Sequence, residues 1–87
     1  MNIITPTQVY LTGPYMEEFL AMATSETVLD LSNTKYIDSE ALNSLIGCIN
    51  RLRESDCRLS YMNPSSEARR IISFMRLDKL MDEYKEE

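Results

Sequence analysis

Asp38 and Ser39 open the most regular amphipathic segment of the chain, where a side-chain oxygen can accept from the free backbone N–H groups of a helix start. Asp30 and Asp38 are paired carboxylates of the kind that do acid–base work. No nucleophile–base pair and no pocket-forming loops accompany them. The chain has no histidine, which excludes Ser-His-Asp and Cys-His nucleophile pairs and the common imidazole metal sites. Cys48 and Cys57 stand nine apart, in neither a CxxC nor a zinc spacing. They read as inert reduced thiols, with a structural disulfide second. The only glycines, Gly13 and Gly47, cannot build a Gly-rich phosphate cradle. Metal, cofactor and catalysis all drop out, and an interaction module remains.

Charge supports that reading. The net charge of −5 argues against direct nucleic-acid binding, which needs clustered Lys and Arg. Residues 1–40 hold six acids against Lys35 alone, whereas the remainder is balanced, so the whole excess sits in the first half. An acidic half can steer a basic partner; it also serves as an ordinary solvated surface. The first six residues have neither a basic n-region nor an apolar h-region, and the apolar runs are short. No signal peptide, no membrane insertion and a cytoplasmic location are therefore expected.

The elements that must position these residues follow from periodicity. Residues 8–12 favour a strand that ends at a Gly13-Pro14 turn, with residues 1–4 as a partner strand across a turn at Thr5-Pro6. From Tyr15, helical spacing joins Tyr15, Met16, Phe19, Leu20 and Met22, with Glu17 and Glu18 in the first turn. Residues 26–32 alternate as a central strand, with Thr27, Leu29 and Leu31 on one face. After a polar turn and the pair Tyr36-Ile37, a helix is expected over 38–54, with Leu42, Leu45, Ile46, Ile49 and Leu52 in one stripe. Residues 57–62 alternate as another strand. Residues 63–67 form a turn into a capped helix carrying Ala68, Ile71, Ile72 and Met75, and Leu77, Leu80 and Met81 form a further helical turn. Residues 83–87 are a charged, fraying tail. The six methionines are read mainly as core filler. Alternating strands and helices imply an α/β domain: a mixed, mostly parallel sheet of about four strands with helices packed on it.

The stretch from Val28 to Leu80, about 53 of 87 residues, resembles a STAS domain, and within that family the bacterial anti-sigma factor antagonists. Val28-Leu29-Asp30-Leu31-Ser32 matches a "VLDLS" strand. Tyr36-Ile37-Asp38-Ser39-Glu40-Ala41-Leu42 matches an apolar pair before "DSSGL". Leu59 through Asn63-Pro64-Ser65, Glu67 and Arg69-Arg70 match "LxxxNPSxExRR", and Leu77-Asp78-Lys79-Leu80 matches "GLdxl". The chain is thus similar to a single minimal STAS domain spanning 1–87.

The resemblance implies a switch and no enzyme. In the family, the serine after the aspartate of "DS" is phosphorylated by a partner that is both anti-sigma factor and serine kinase, and a serine phosphatase restores it. That serine maps to Ser39, and the expected partner-binding residues are Asp38, Ser39, Glu40, Ala41, Asn43, Asn63 and Ser65. Phosphate at an exposed helix start adds about −1.5 to −2 charge beside backbone N–H groups and repels a partner that accepts the neutral hydroxyl. No cofactor is implied, and a monomer and a weak dimer both stay open. Glu40 stands where Ser or Thr is usual, and Ala41 where Gly is. The acidic loop residue usual between Gly13 and Val28 has no counterpart, and the usual strand and helix after Leu80 are expected to be nearly absent. The alternative is the other role of STAS domains, as accessory subunits of transporters such as lipid ABC systems.

Overall fold

Among the residues described in the computed structural model, 2–24 and 26–85, the expected periodicities resolve into six strands and three helices. In chain order these are β1 (Asn2–Ile4), β2 (Tyr10–Leu11), α1 (Gly13–Leu20), β3 (Glu26–Asp30), β4 (Tyr36–Ile37), α2 (Ser39–Glu54), β5 (Arg58–Met62), α3 (Ser66–Phe74), a 3₁₀ turn (Leu77–Lys79) and β6 (Asp82–Glu83). Met1 of the expected first strand, and Glu86 and Glu87 of the expected tail, lie outside the described residues.

The main sheet has the order β1-β3-β5-β6, and every pairing in it is parallel. The expected alternation of strand and helix therefore holds, with no antiparallel member in the sheet among the described residues. β3 is central, as its apolar composition predicts, between Ile4 opposite Leu29 and Tyr61 opposite Leu29. The helices cover the face that carries Leu29, Leu59 and Tyr61. Met16 and Leu20 of α1, Leu45 and Ile49 of α2, and Ala68 and Ile72 of α3 join them in one core. Leu11, Leu29, Leu31, Leu45 and Leu77 are wholly shielded from solvent, each worth about 1.5–3 kcal/mol over an exposed side chain. Val28 is also buried, but on the opposite face, in line with Ile3 and Ser60 and outside that core.

Four expectations are corrected. β1 does not pair with the strand that follows it: β1 joins β3, and β2 pairs in parallel with β4 as a separate two-stranded sheet. Gly13-Pro14 is no turn but the start of α1, because proline fits the first helical turn, where its missing N–H loses no bond. The earlier start moves Glu17 and Glu18 out of the first turn and leaves Tyr15 and Met22 exposed. After Leu80 only a two-residue strand, β6, follows among the described residues, in line with the near-absence expected there, but it takes Glu83 out of the expected fraying tail: β6 pairs with Ser60 and Tyr61 and is clamped to α3 by Arg69, whose guanidinium lies 2.9 Å from the Glu83 carboxylate. Of the methionines, Met16 and Met81 are buried whereas Met22 and Met75 are exposed, so core filling accounts for only part of them.

Among the described residues, the chain turns back at three non-glycine residues with left-handed backbone, Asp56, Asn63 and Arg76, at φ 56°, 48° and 57°. Each sits where an element must end sharply: after α2, after β5 and after α3.

Candidate functional site

Parallel strands that each lead into a helix set the N-termini of those helices side by side. β2 and β4, paired in parallel, lead into α1 and α2, and β5 of the main sheet leads into α3. The residues expected to act fall at or just after the β4–α2 and β5–α3 junctions.

Asp38 is the N-cap of α2. Its extended backbone turns its carboxylate onto the helix end, where Oδ1 accepts from the Ala41 N–H at 2.8 Å. Its own N–H donates to the Leu11 carbonyl at 3.1 Å, which ties the start of α2 to β2. Ser39 is the first helical residue and is exposed, as are Glu40 and Asn43. Ala41 is fully buried in the core, so it supports this surface from beneath.

Glu40 is held by α1. A Cβ placed on Gly13 would lie 2.7 Å from Glu40 Cβ and 2.9 Å from its Oε2. The Glu40 carboxylate thus lies over the first turn of α1 while also standing in the first turn of α2. Both positions favour a negative charge. Thr12, the N-cap of α1, makes no side-chain capping bond.

Ser65 has a mainly structural setting. Its hydroxyl accepts from the Ala68 N–H at 3.0 Å, capping α3, and donates to the Thr34 carbonyl. Its N–H donates to the Leu31 carbonyl at 3.3 Å. Thr34 is itself buried, with its hydroxyl on the Gln8 carbonyl at 3.2 Å. Asn63 is exposed in a left-handed turn. Ser39, Glu40 and Asn43 are exposed within the first two turns of α2, directly after the half-buried Asp38. Asn63 and Ser65 sit at the next junction, and Ser65 is bonded to Thr34 and Leu31 and not to the Asp38–Glu40 segment.

Sequence reasoning missed the apolar neighbourhood of these junctions. Tyr10 and Tyr36 stack with ring centroids 4.7 Å apart and both are half exposed. Beyond Tyr36 a groove of about 550 Å³ runs past Ile37 and Leu42 to Ile71, Phe74 and Met75 of α3 and its end. Leu42 follows Ser39 by three residues, one turn further along α2. The available signal is the spacing of Ile71, Phe74 and Met75, a second apolar stripe beside the buried Ala68 and Ile72. Among the described residues, no group of three or more His, Cys, Asp or Glu side chains is arranged to hold a metal ion, and no helix is long and apolar enough to cross a membrane.

Comparison with known proteins agrees with this architecture. The family model described as "MlaB, STAS domain" matches residues 15–82. A crystal structure from Thermotoga maritima, of a candidate anti-sigma factor antagonist, superposes with a TM-score of 0.76 at 17% identity, covering 97% of this chain and 80% of that one. The solution structure of TM1081 gives 0.74 at 21% identity, over 95% and 72%. The anti-sigma factor antagonist SpoIIAA in its unphosphorylated form gives 0.66 at 16% identity, over 97% and 79%. At these identities the likeness is one of fold. No curated protein matches the sequence.

Proposed function

The chain belongs to the STAS domain family, and from that premise we propose that it is a phospho-switchable binding module for an anti-sigma factor that is also a serine kinase. Ser39 is the switch. The observation that carries this reading is the exposure of Ser39 at the first position of a helix whose cap, Asp38, is a different side chain. A phosphate on Ser39 leaves the Asp38–Ala41 bond in place and meets free first-turn N–H groups, so the domain stays folded. Only the surface changes, by about −1.5 to −2 charge next to Glu40. A partner seated on the neutral hydroxyl is repelled, and a phosphatase reverses the change. Binding of such a partner frees a sigma factor and so regulates transcription.

The test is to capture the partner kinase with the full chain and incubate the two with ATP. Phosphate on Ser39, found by mass spectrometry, supports the reading. Ser39→Ala should bind the kinase and resist modification, and Ser39→Asp should weaken binding by roughly tenfold or more, about 1.4 kcal/mol. An active kinase that binds the chain and leaves Ser39 unmodified sinks it.

A second reading, an accessory subunit of a transporter, is favoured by one observation. Glu40 already places a carboxylate beside Ser39, packed over α1, so the surface resembles a phosphorylated one before any modification. This reading expects co-purification with a membrane-bound ATPase and little effect of Ser39→Asp on that binding.

A further inference from the structure

The geometry points to the groove between β4, the first turns of α2 and the end of α3 as the seat of an amphipathic helix of a partner protein, one whose apolar face is flanked by acidic side chains. This rests on the role of the chain as a binding module and not on modification of Ser39.

The groove holds about 550 Å³ and is lined by Tyr36, Ile37, Leu42, Ile71, Phe74 and Met75. Phe74 is 86% exposed, Tyr36 53% and Met75 46%. Single exposed apolar residues are ordinary, but a contiguous set marks an interaction surface. α3 supplies the reason. Ala68 and Ile72 point it into the core and Ile71 packs partly against that core, while Phe74 and Met75, three and four residues on from Ile71, stay exposed. A helix with anchors at the same spacing is the standard occupant of such a trough.

Charge selects among occupants. Although the chain carries −5 overall, the charged side chain in the groove lining is Arg70. In the sequence Lys35 precedes Tyr36 and Arg76 follows Met75, while Asp38 follows Ile37; Glu67 lies near enough to Lys35 and Arg70 to feel their charges. A second copy of this chain would set those cations against themselves in a two-fold contact. An anionic bilayer is opposed by the net negative charge. A small molecule would leave the Phe74 ring in water, whereas small-molecule sites enclose most of their ligand. A helix with acidic flanks satisfies both the stripe and Arg70.

The test uses the isotope-labelled full chain and two synthetic amphipathic peptides of about 15 residues, long enough for four helical turns. Both carry Leu at helical spacing; one has Glu flanks and the other Lys flanks. The Glu peptide should shift the amide resonances of Tyr36, Leu42, Ile71 and Phe74 and bind at least about tenfold more tightly than the Lys peptide. Phe74→Ala, at a side chain outside the core, should weaken it by a similar factor, and Arg70→Glu should reverse the preference. Shifts centred elsewhere, equal or tighter binding of the Lys peptide, or no binding of either would overturn the proposal. So would groove shifts that appear on concentrating the protein alone or on adding phosphatidylglycerol vesicles. Ser39 is unmodified throughout, so failure here leaves the kinase assay standing, and failure there leaves this groove standing.

Discussion

Gly13 and Glu40 meet so closely that a single methyl on Gly13 would stand 2.7 Å from Glu40 Cβ. The glycine is needed for space and not for its backbone freedom, since its conformation is helical. Gly13→Ala should therefore destabilise the fold by about 1–3 kcal/mol, the usual cost of overpacking, despite the better helix propensity of alanine. Glu40→Ala keeps the offending Cβ and should not rescue it, whereas Glu40→Gly should recover part of the loss. Urea unfolding of the three variants checks this; rescue by Glu40→Ala would show that the carboxylate, not the Cβ, sets the contact.

Asp38 caps α2 through one bond to the Ala41 N–H. Asp38→Ala should cost about 1 kcal/mol in urea unfolding, and Asp38→Asn, which keeps the accepting oxygen, clearly less. Because Ser39 does not supply the cap, Ser39→Ala should change stability by under about 0.5 kcal/mol, as expected of an exposed substitution.

Ser65 caps α3 and also reaches the buried Thr34 segment. Ser65→Ala removes both bonds, so it should cost about 1–2 kcal/mol, more than Asp38→Ala. A smaller loss in thermal or urea unfolding would mean that the tie to Thr34 contributes nothing.

The clamp between Arg69 and Glu83 predicts a pH dependence. The hydrogen bond from Arg69, and secondarily its charge, holds the Glu83 carboxyl below its ordinary value of 4.5. The contribution is present above 4.5 and is lost as the pH falls through the lower, folded value. Amide exchange at Tyr84, whose N–H donates to the Tyr61 carbonyl at 2.8 Å, should accelerate relative to the core of β3 as that window is crossed. In Glu83→Gln the relative rate should be flat across the same range.

The stack of Tyr10 on Tyr36 links β2 to β4 on the rim of the groove. A double-mutant cycle with Tyr10→Ala and Tyr36→Ala should give a coupling of about 0.5–1 kcal/mol, as for an aromatic cross-strand pair. A value near zero would mark the contact as incidental.

What the sequence makes legible divides along local and non-local lines. α2 is read correctly to within a residue because its apolar spacing, the Asp38 cap and the Arg51 and Arg53 end all lie within its own residues. The start of α1 is misread because Gly-Pro signals a turn locally, and only the packing of Gly13 under Glu40 reveals the helix. β1 has three residues and β2 two, too few to encode a partner, so their split between two sheets is decided by tertiary contacts. β6 is acidic and two residues long, with no strand signal; it exists because Ser60, Tyr61 and Arg69 receive it. At the candidate site, the position of Ser39 follows from its helix. The groove beside it needs the end of α3 brought next to β4, a juxtaposition no periodicity describes.

The three left-handed turns at Asp56, Asn63 and Arg76 have an engineering consequence. A chain with two glycines, neither with positive φ, builds its sharpest reversals from side chains that bear the steric cost themselves. Asp and Asn tolerate that conformation through local hydrogen bonding; a long cationic side chain does not. Arg76 is thus a place where glycine would relieve backbone strain, at a distance from the Ser39 surface in the chain and at the cost of the cation that follows Met75. Thermostability and recognition are set against each other at that one position.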